Sequence, residues 1–255
     1  MSLRNDHSHP DDAAAGIEVT PDFERFTQRN DIFTRAFWDN SIRSAKTDAF
    51  FASYRIEAAP RRGDGFGQRD FALRNASWLI SDVLTNRGAA EVFGADLCVF
   101  TVLDTRWLYE TRVDTRDLSA APNDLPPGLT HVIVLGHEME EDLVATYPSA
   151  LAGAATGREY SHEAAVVMQL AAYIRNLGYE ATASMNATGL VIPFAVKAGL
   201  GEYARIQMVI TPEFGPRLRF SKIFPNLPLS QDAPKPQGVR AFCDICTKCA
   251  DACPV

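Results

Sequence analysis

The sequence has no apolar run long enough to cross a membrane. None of its 255 residues falls in a stretch that approaches the roughly 20 consecutive apolar residues of a transmembrane helix. Residues 1–16 are polar and rich in His, Asp and Ala, without the apolar segment of a secretory signal. Arg61-Arg62 is followed by Gly-Asp-Gly, which does not fit a twin-arginine export signal. The sequence therefore predicts no membrane span and a cytoplasmic location.

Basic clusters and nucleotide-binding motifs are also lacking. The net charge is −7, whereas a phosphate-binding surface needs clustered positive charge. No G-x4-G-K-[ST] motif occurs. Residues 199–204 match G-x-G-x-x-A, but that fingerprint needs a preceding strand, and residues 193–198 favour a helix. We therefore expect neither a nucleic-acid partner nor a dinucleotide cofactor.

Cysteine is rare except at the C-terminal end of the sequence. Four of the five cysteines, Cys243, Cys246, Cys249 and Cys253, lie in the last thirteen residues, whereas Cys98 stands alone in an apolar segment and is expected to be a buried thiol. Their spacing, C-x2-C-x2-C-x3-C-P, is that of bacterial ferredoxins and predicts a 4Fe-4S site. Zinc is the competing interpretation, but zinc sites favour two C-x2-C pairs separated by a longer loop.

The fourth cysteine of such a run normally binds the other cluster of a pair. The cysteines for a second cluster do not occur in this sequence. The sequence therefore predicts a C-terminally truncated part of a longer protein.

Composition divides the chain into three regions. Residues 1–70 are expected to form an N-terminal extension, with a disordered tail over residues 1–20. A core domain is expected over residues 71–235, and residues 236–255 would begin the iron–sulfur module.

The hydrophobic pattern of the core predicts a mixed α/β (α+β) fold. The clearest helix is expected to begin at Thr156, because Thr156-Gly-Arg-Glu159 has the pattern of a capping box, and to end at Gly178. Further predicted elements are helices at 71–90 and 193–198 and strands at 97–103, 131–136, 180–185, 207–211 and 217–223.

A few polar residues in these elements are candidates for chemistry. Tyr160 would lie in the first turn of the helix from Thr156, where the helix dipole favours negative charge. Arg219 and Lys222 would point to opposite faces of one strand, and Asn186 would follow the end of another. Each also has a purely structural interpretation: a packing aromatic, a solvated charged face and a turn residue.

Three sequence blocks followed by the cysteine run resemble the corrinoid-dependent reductive dehalogenases. The blocks are LVIPFAVKAGLGEYAR (190–205), ITPEFGPRLR (210–219) and NLPL (226–229). The resemblance extends over residues 129–255, and the order of the blocks matches as well as their content.

The resemblance implies a nitroreductase-like corrinoid-binding core followed by a ferredoxin-type module with two 4Fe-4S clusters. It implies base-off cobalamin without a protein ligand to cobalt, which agrees with the lack of a D-x-H-x-x-G motif. The implied activity is reductive removal of halide from an organohalide such as a halogenated aromatic. By position, Tyr160 would be the proton donor and Arg219 the activating cation, with Lys222 as second choice. Asn186 and Thr156 would belong to the substrate or cofactor pocket.

The resemblance also implies an electron donor such as ferredoxin, flavodoxin or a fused reductase. The lack of an export signal suggests a catabolic rather than a respiratory relative. Two alternatives stay open: an epoxyqueuosine reductase-like enzyme acting on tRNA, and a non-catalytic corrinoid or iron–sulfur electron-transfer fragment. The former uses a carboxylate as its acid and has a basic surface, so Tyr160 and the net charge of −7 favour the dehalogenase.

Overall fold

The structure is a computed structural model that describes residues 12–20, 22–31, 34–35, 38–45, 86–113, 119–123 and 125–252. Its helices are α1 (Asp12–Ala15), α2 (Asn86–Phe93), α3 (Glu141–Val144), α4 (Ala150–Asn176), α5 (Val191–Lys197), α6 (Val239–Ile245) and α7 (Lys248–Asp251). Its strands are β1 (Leu97–Val102), β2 (Thr111–Val113), β3 (Ala120–Pro122), β4 (His131–Glu138), β5 (Ala181–Ser184), β6 (Glu202–Tyr203), β7 (Val209–Ile210) and β8 (Leu218–Pro225). Among these residues, no helix is both long and apolar enough to span a bilayer.

The centre of the fold is a four-stranded antiparallel sheet in the order β1-β4-β8-β5. The predicted strands at 97–103, 131–136, 180–185 and 217–223 correspond to its four members. β4 lies between β1 and β8 with six consecutive buried residues, because helices cover both faces of the sheet. The predicted mixed α/β fold class is confirmed at this level.

Alternate residues of β4 enter two separate hydrophobic layers. Ile133 and Leu135 pack with α4 residues such as Leu170. Val132 and Val134 point to the other face and pack with Phe194 of α5. The period-2 alternation of the strand thus assigns α4 and α5 to opposite faces of the sheet.

Helix α4 begins six residues before the predicted start. Ser149 is its N-cap, and the Ser149 hydroxyl accepts a hydrogen bond from the Ala152 amide at 3.2 Å. Thr156 is an interior residue whose hydroxyl donates to the Ala152 carbonyl at 3.4 Å. The prediction was wrong because the preceding Ala-Leu-Ala-Gly-Ala-Ala segment propagates the helix, so the capping-box pattern has no free amides to satisfy. The predicted end is confirmed, since Gly178 follows the helix with φ 91°.

The described N-terminal segment packs into the core through buried ion pairs that begin at Asp12. Within the segment predicted to be a disordered tail, Asp12 is 6% exposed. Its carboxylate lies 2.8 Å from the Arg106 guanidinium and 3.1 Å from the Lys197 ammonium. The predicted domain boundary near Phe71 and most of the helix predicted at 71–90 lie outside the described residues.

Candidate active site

A large cavity opens between β8, α5, the β6–β7 hairpin and the N-terminal segment. Its volume is about 810 Å³, within the roughly 300–1,000 Å³ of small-molecule sites. Its walls are mainly apolar and include Trp107, Tyr109, Leu190, Ile192, Met208 and Phe220. Polar side chains also line it, among them the cations Arg219 and Lys222, the carboxylates Glu18 and Asp31, and Asn186. The described lining residues include neither His nor Cys, and the apolar walls suit a large organic ligand.

Tyr160, Asn186 and Arg219 meet at the edge of this cavity. The Asn186 amide donates a hydrogen bond to the Tyr160 hydroxyl at 3.0 Å. The same side chain accepts one from Arg219 Nη2 at 3.2 Å. The Arg219 guanidinium carbon lies 3.4 Å from the centroid of the Tyr160 ring, which is a cation–π contact. Three predicted site residues, from a helix, a loop and a strand, therefore form one connected group.

The sequence predicted Tyr160 in the first turn of a helix, and this prediction was wrong. Because α4 begins at Ala150, Tyr160 lies in its third turn, beyond the range of the terminal dipole. The positive charge next to its phenol comes from Arg219 instead.

Glu163 lies behind Arg219, fully buried on α4. A carboxylate oxygen lies 3.4 Å from Arg219 Nε, close enough for an ion pair but without hydrogen-bond alignment. Burial raises the pKa of Glu163 to about 7, and the Arg219 charge opposes that rise. The sequence analysis missed this residue. A signal was available, because Glu159 and Glu163 interrupt an otherwise apolar stripe at i, i+4 spacing.

Lys222 lies on the opposite face of β8 from Arg219, as the strand periodicity predicts. It is fully buried, and its ammonium donates to the Met185 carbonyl at 2.5 Å. Burial lowers the pKa of Lys222 to about 7, and Glu163 partly offsets this. Its hydrogen bond is directed to the backbone, so Arg219 is the cation in contact with Tyr160.

Thr156 is one helical turn before Tyr160 on α4. Its hydroxyl is directed to the Ala152 carbonyl and lies 3.8 Å from the sulfur of Met139. It is not among the residues that line the 810 Å³ cavity.

Three of the four C-terminal cysteines lie on or directly after two short helices. Cys243 is in α6, Cys246 follows α6 and Cys249 is in α7, and all three are half-buried free thiols. The Arg205 amide points at Cys243 Sγ from 3.5 Å. Half-exposed thiols with a nearby N–H donor fit the ligand chemistry of an iron–sulfur cluster. The predicted fourth ligand, Cys253, lies outside the described residues.

A second, smaller cavity reaches Cys243 and shares part of its wall with the large one. Ala15, Gly16, Tyr203 and Gln207 line both cavities. These shared residues therefore lie between the large cavity and the smaller cavity that contains Cys243.

Another polar cluster lies where α4 crosses β4. His137, Glu159 and His162 place one potential ligand atom each within 4.8 Å of the others. Burial lowers the pKa of His137 to about 3, so its imidazole is neutral at ordinary pH. Sequence analysis found no metal spacing here because His137 and His162 belong to different elements.

Comparisons with known proteins identify relatives of this chain. No family model matches the chain. It is 38% identical over 200 residues to the tetrachloroethene reductive dehalogenase of Dehalobacter restrictus, covering 65% of this chain and 36% of that protein. It is 36% identical over 202 residues to the tetrachloroethene reductive dehalogenase of Sulfurospirillum multivorans, covering 67% and 40%. A shorter match, 39% identical over 75 residues, is to the epoxyqueuosine reductase of Bacillus subtilis, covering 29% and 18%.

The fold also matches a solved reductive dehalogenase. The catabolic reductive dehalogenase NpRdhA in complex with 3-bromo-4-hydroxybenzoic acid superposes with a TM-score of 0.71 at 20% identity, covering 91% of this chain and 35% of that one. This chain thus spans well under half the length of the dehalogenases it matches. By sequence identity and by fold, it belongs to the reductive dehalogenase family.

Proposed function

We propose that this chain forms the catalytic core of a cobalamin-dependent reductive dehalogenase, an oxidoreductase that replaces the halogen of an organohalide with hydrogen. The net reaction consumes two electrons and one proton and releases one halide ion. The observation that carries the proposal is the contact of Tyr160 with both Asn186 and Arg219 at the edge of a large apolar cavity.

The 810 Å³ cavity would hold the corrinoid in a nitroreductase-like core spanning residues 71–235. The cofactor is proposed to bind base-off, as the resemblance to the family implies. When bound, the corrinoid supplies the reductive cleavage of the carbon–halogen bond. The chain itself supplies binding, positioning and a proton.

Tyr160 is the proposed proton donor. Its oxygen accepts the Asn186 amide hydrogen, which leaves its own O–H to point at a substrate. As that proton leaves, negative charge develops on the phenol. Arg219, stacked on the ring at 3.4 Å, stabilises this charge. Asn186 holds the Tyr160 hydroxyl and the Arg219 guanidinium in fixed relative positions, because its side-chain amide hydrogen-bonds to both.

Lys222 has a secondary role in this proposal. Its ammonium lies in the wall of the same cavity but hydrogen-bonds to the Met185 carbonyl. It would place a titratable positive charge below the bound ligand, whereas Arg219 activates the tyrosine. Thr156 would support the position of Tyr160 from one turn away on α4 and would not touch the substrate.

Electrons would enter through the C-terminal module, residues 236–255. Cys243, Cys246, Cys249 and Cys253 would bind a 4Fe-4S cluster, and a second cluster belongs to the full-length protein in this proposal. The shared wall between the two cavities would bring the first cluster close to the corrinoid. The electron donor would be a cytoplasmic ferredoxin, flavodoxin or fused reductase.

The substrate is proposed to be a halogenated aromatic compound. One structural relative was solved with 3-bromo-4-hydroxybenzoic acid, and the apolar cavity here carries aromatic side chains suited to stacking on such a ring. Arg219 provides positive charge for a phenolate or carboxylate on that ring.

Anaerobic reconstitution with iron, sulfide and cobalamin tests the proposal. We expect a base-off cob(II)alamin EPR signal, and halide release from a bromophenol with reduced viologen as electron source. Tyr160→Phe should reduce halide release by about 10²-fold or more, the usual contribution of a general acid, with cobalamin binding unchanged. Tyr179→Phe, at an exposed tyrosine, is the matched control.

Either of two results would overturn this assignment. A chain that binds iron but no corrinoid would be an electron-transfer fragment. Equal halide release by wild type and Tyr160→Phe would exclude Tyr160 as the proton donor. The match to an epoxyqueuosine reductase supports a second candidate, reduction of a modified tRNA. Turnover of epoxyqueuosine-containing tRNA without halide release would establish that activity instead.

A further inference from the structure

We infer that His137, Glu159 and His162 form a binding site for a divalent transition-metal ion of the zinc class, separate from the corrinoid cavity and the cysteine run. The three side chains converge from β4 and from two positions, three residues apart, on α4. Their ligand atoms all lie within 4.8 Å of one another. A tetrahedral zinc site needs separations of about 3.4 Å between ligand atoms, given bonds of about 2.0–2.1 Å. Small torsional changes shared among the three side chains can close the remaining gap.

Two of these groups have buried polar atoms that no described residue satisfies. His137 is fully buried, and its Nδ1 has no hydrogen-bond partner. Glu159 is 4% exposed, and its Oε1 is likewise unpaired. Buried polar atoms are almost always satisfied in native structures. A cation between an imidazole nitrogen and a carboxylate oxygen would satisfy both atoms.

Each imidazole already uses its other nitrogen in the way metal-bound histidines do. His137 Nε2 lies 2.9 Å from the Ser221 hydroxyl, and His162 Nε2 lies 2.8 Å from the Gly94 carbonyl. Such outer hydrogen bonds fix the tautomer and leave Nδ1 as a lone-pair donor. Gly94 permits this approach, because an added Cβ would lie 2.9 Å from the His162 ring.

The site is accessible from solvent and has an acidic entrance. Glu159 and His162 line a cavity of about 460 Å³ that also contains Asp96 and Asp142. Arg217 is already paired with Glu138 and Glu141 at its rim, and Arg158 lies 3.7 Å from Glu140. Two nitrogen ligands and one carboxylate favour Zn²⁺, Co²⁺ or Ni²⁺ over Ca²⁺ and Mg²⁺, because the latter two ions prefer sites made only of oxygen ligands.

Zinc binding to the whole chain tests the inference. Metal-free protein would be titrated with Zn²⁺ against a chromophoric chelator. His162→Ala and Glu159→Gln should each bind one ion fewer per chain, or bind it at least about 100-fold more weakly, since even outer partners contribute 10–100-fold. Glu140→Gln, which changes an acidic residue of the same cavity outside the trio, should match wild type. Binding at the cysteines is common to all four proteins and cancels in the comparison.

Co²⁺ spectra provide a second readout. The wild type minus His162→Ala difference should show d–d bands without thiolate charge-transfer bands. Equal zinc binding in all four proteins would overturn the inference, and so would an equal loss in Glu140→Gln, which would indicate diffuse attraction by acidic residues. Thiolate bands in the difference spectrum would also overturn it, by placing the ion at the cysteines. None of these outcomes depends on dehalogenase activity.

Discussion

Replacement of Lys222 by methionine should stabilise the protein at neutral pH. The Lys222 side chain is fully buried, and burial lowers its pKa from 10.5 to about 7. At about 1.4 kcal/mol per pKa unit, the native ammonium costs about 5 kcal/mol relative to the unfolded chain. Lys222→Met removes this cost but leaves the Met185 carbonyl without its donor, which costs about 1–3 kcal/mol. We expect a net gain of about 2–4 kcal/mol in the free energy of unfolding at pH 7.

The pH dependence of the unfolding free energy shows whether the buried Lys222 ammonium causes the difference. Between pH 7 and about 10.4 the unfolded state keeps the lysine proton while the native state loses it. Wild-type stability therefore gains up to about 1.4 kcal/mol per pH unit from this group as the pH rises through that window, and nothing below it. Lys222→Met lacks this contribution, so its advantage should disappear near pH 9.5. Urea unfolding of both proteins at several pH values measures the difference.

Lys197 provides the contrasting control. It is 4% exposed, but its ammonium lies 3.1 Å from Asp12 and 3.5 Å from Asp104. Lys197→Met should lower the unfolding free energy by about 3–5 kcal/mol, because it leaves buried carboxylates with fewer partners. The reasoning is refuted if Lys222→Met is less stable than wild type at pH 7, or if their difference does not change with pH.

Two further predictions concern the start of α4 and the cysteine run. Ser149→Ala should reduce the free energy of unfolding by about 1 kcal/mol through loss of the N-cap. Ser161→Ala, on the exposed face of the same helix, should have little effect. Equal shifts of the melting temperature in the two variants would contradict the cap assignment. Cys249→Ser should reduce the iron content after anaerobic reconstitution, and Cys98→Ser, at a buried thiol, should not. Equal iron in both variants would exclude Cys249 as a ligand.

The sheet was predictable because its strands carry a local signal. His131–Glu138 is covered on both faces, so the run of β-branched residues alone indicates a central strand. The start of α4 was not predicted, because a capping box has meaning only where the helix has no earlier start. Ser149, after Pro148, was the better N-cap, and the alanine-rich stretch behind it carries the helix onward.

The candidate site was only partly predictable. Periodicity assigns Tyr160 to α4 and Arg219 to β8, but does not say which faces meet. Their contact depends on the order β4-β8-β5, in which neighbouring strands are distant in sequence. Family resemblance provided the pairing that the residue pattern could not. Glu163 and His137 were missed because their importance comes from burial against another element.

The docking of the N-terminal segment has a consequence for the timing of biosynthesis. Gly16, which lines the large cavity, accepts a hydrogen bond from Arg240, 224 residues later in the chain. At about 5–20 residues per second, the ribosome needs about 11–45 s to make the chain between these partners. Throughout that interval Gly16 has no partner at this position. The N-terminal segment can therefore complete its contact with the C-terminal region only after Arg240 has been made.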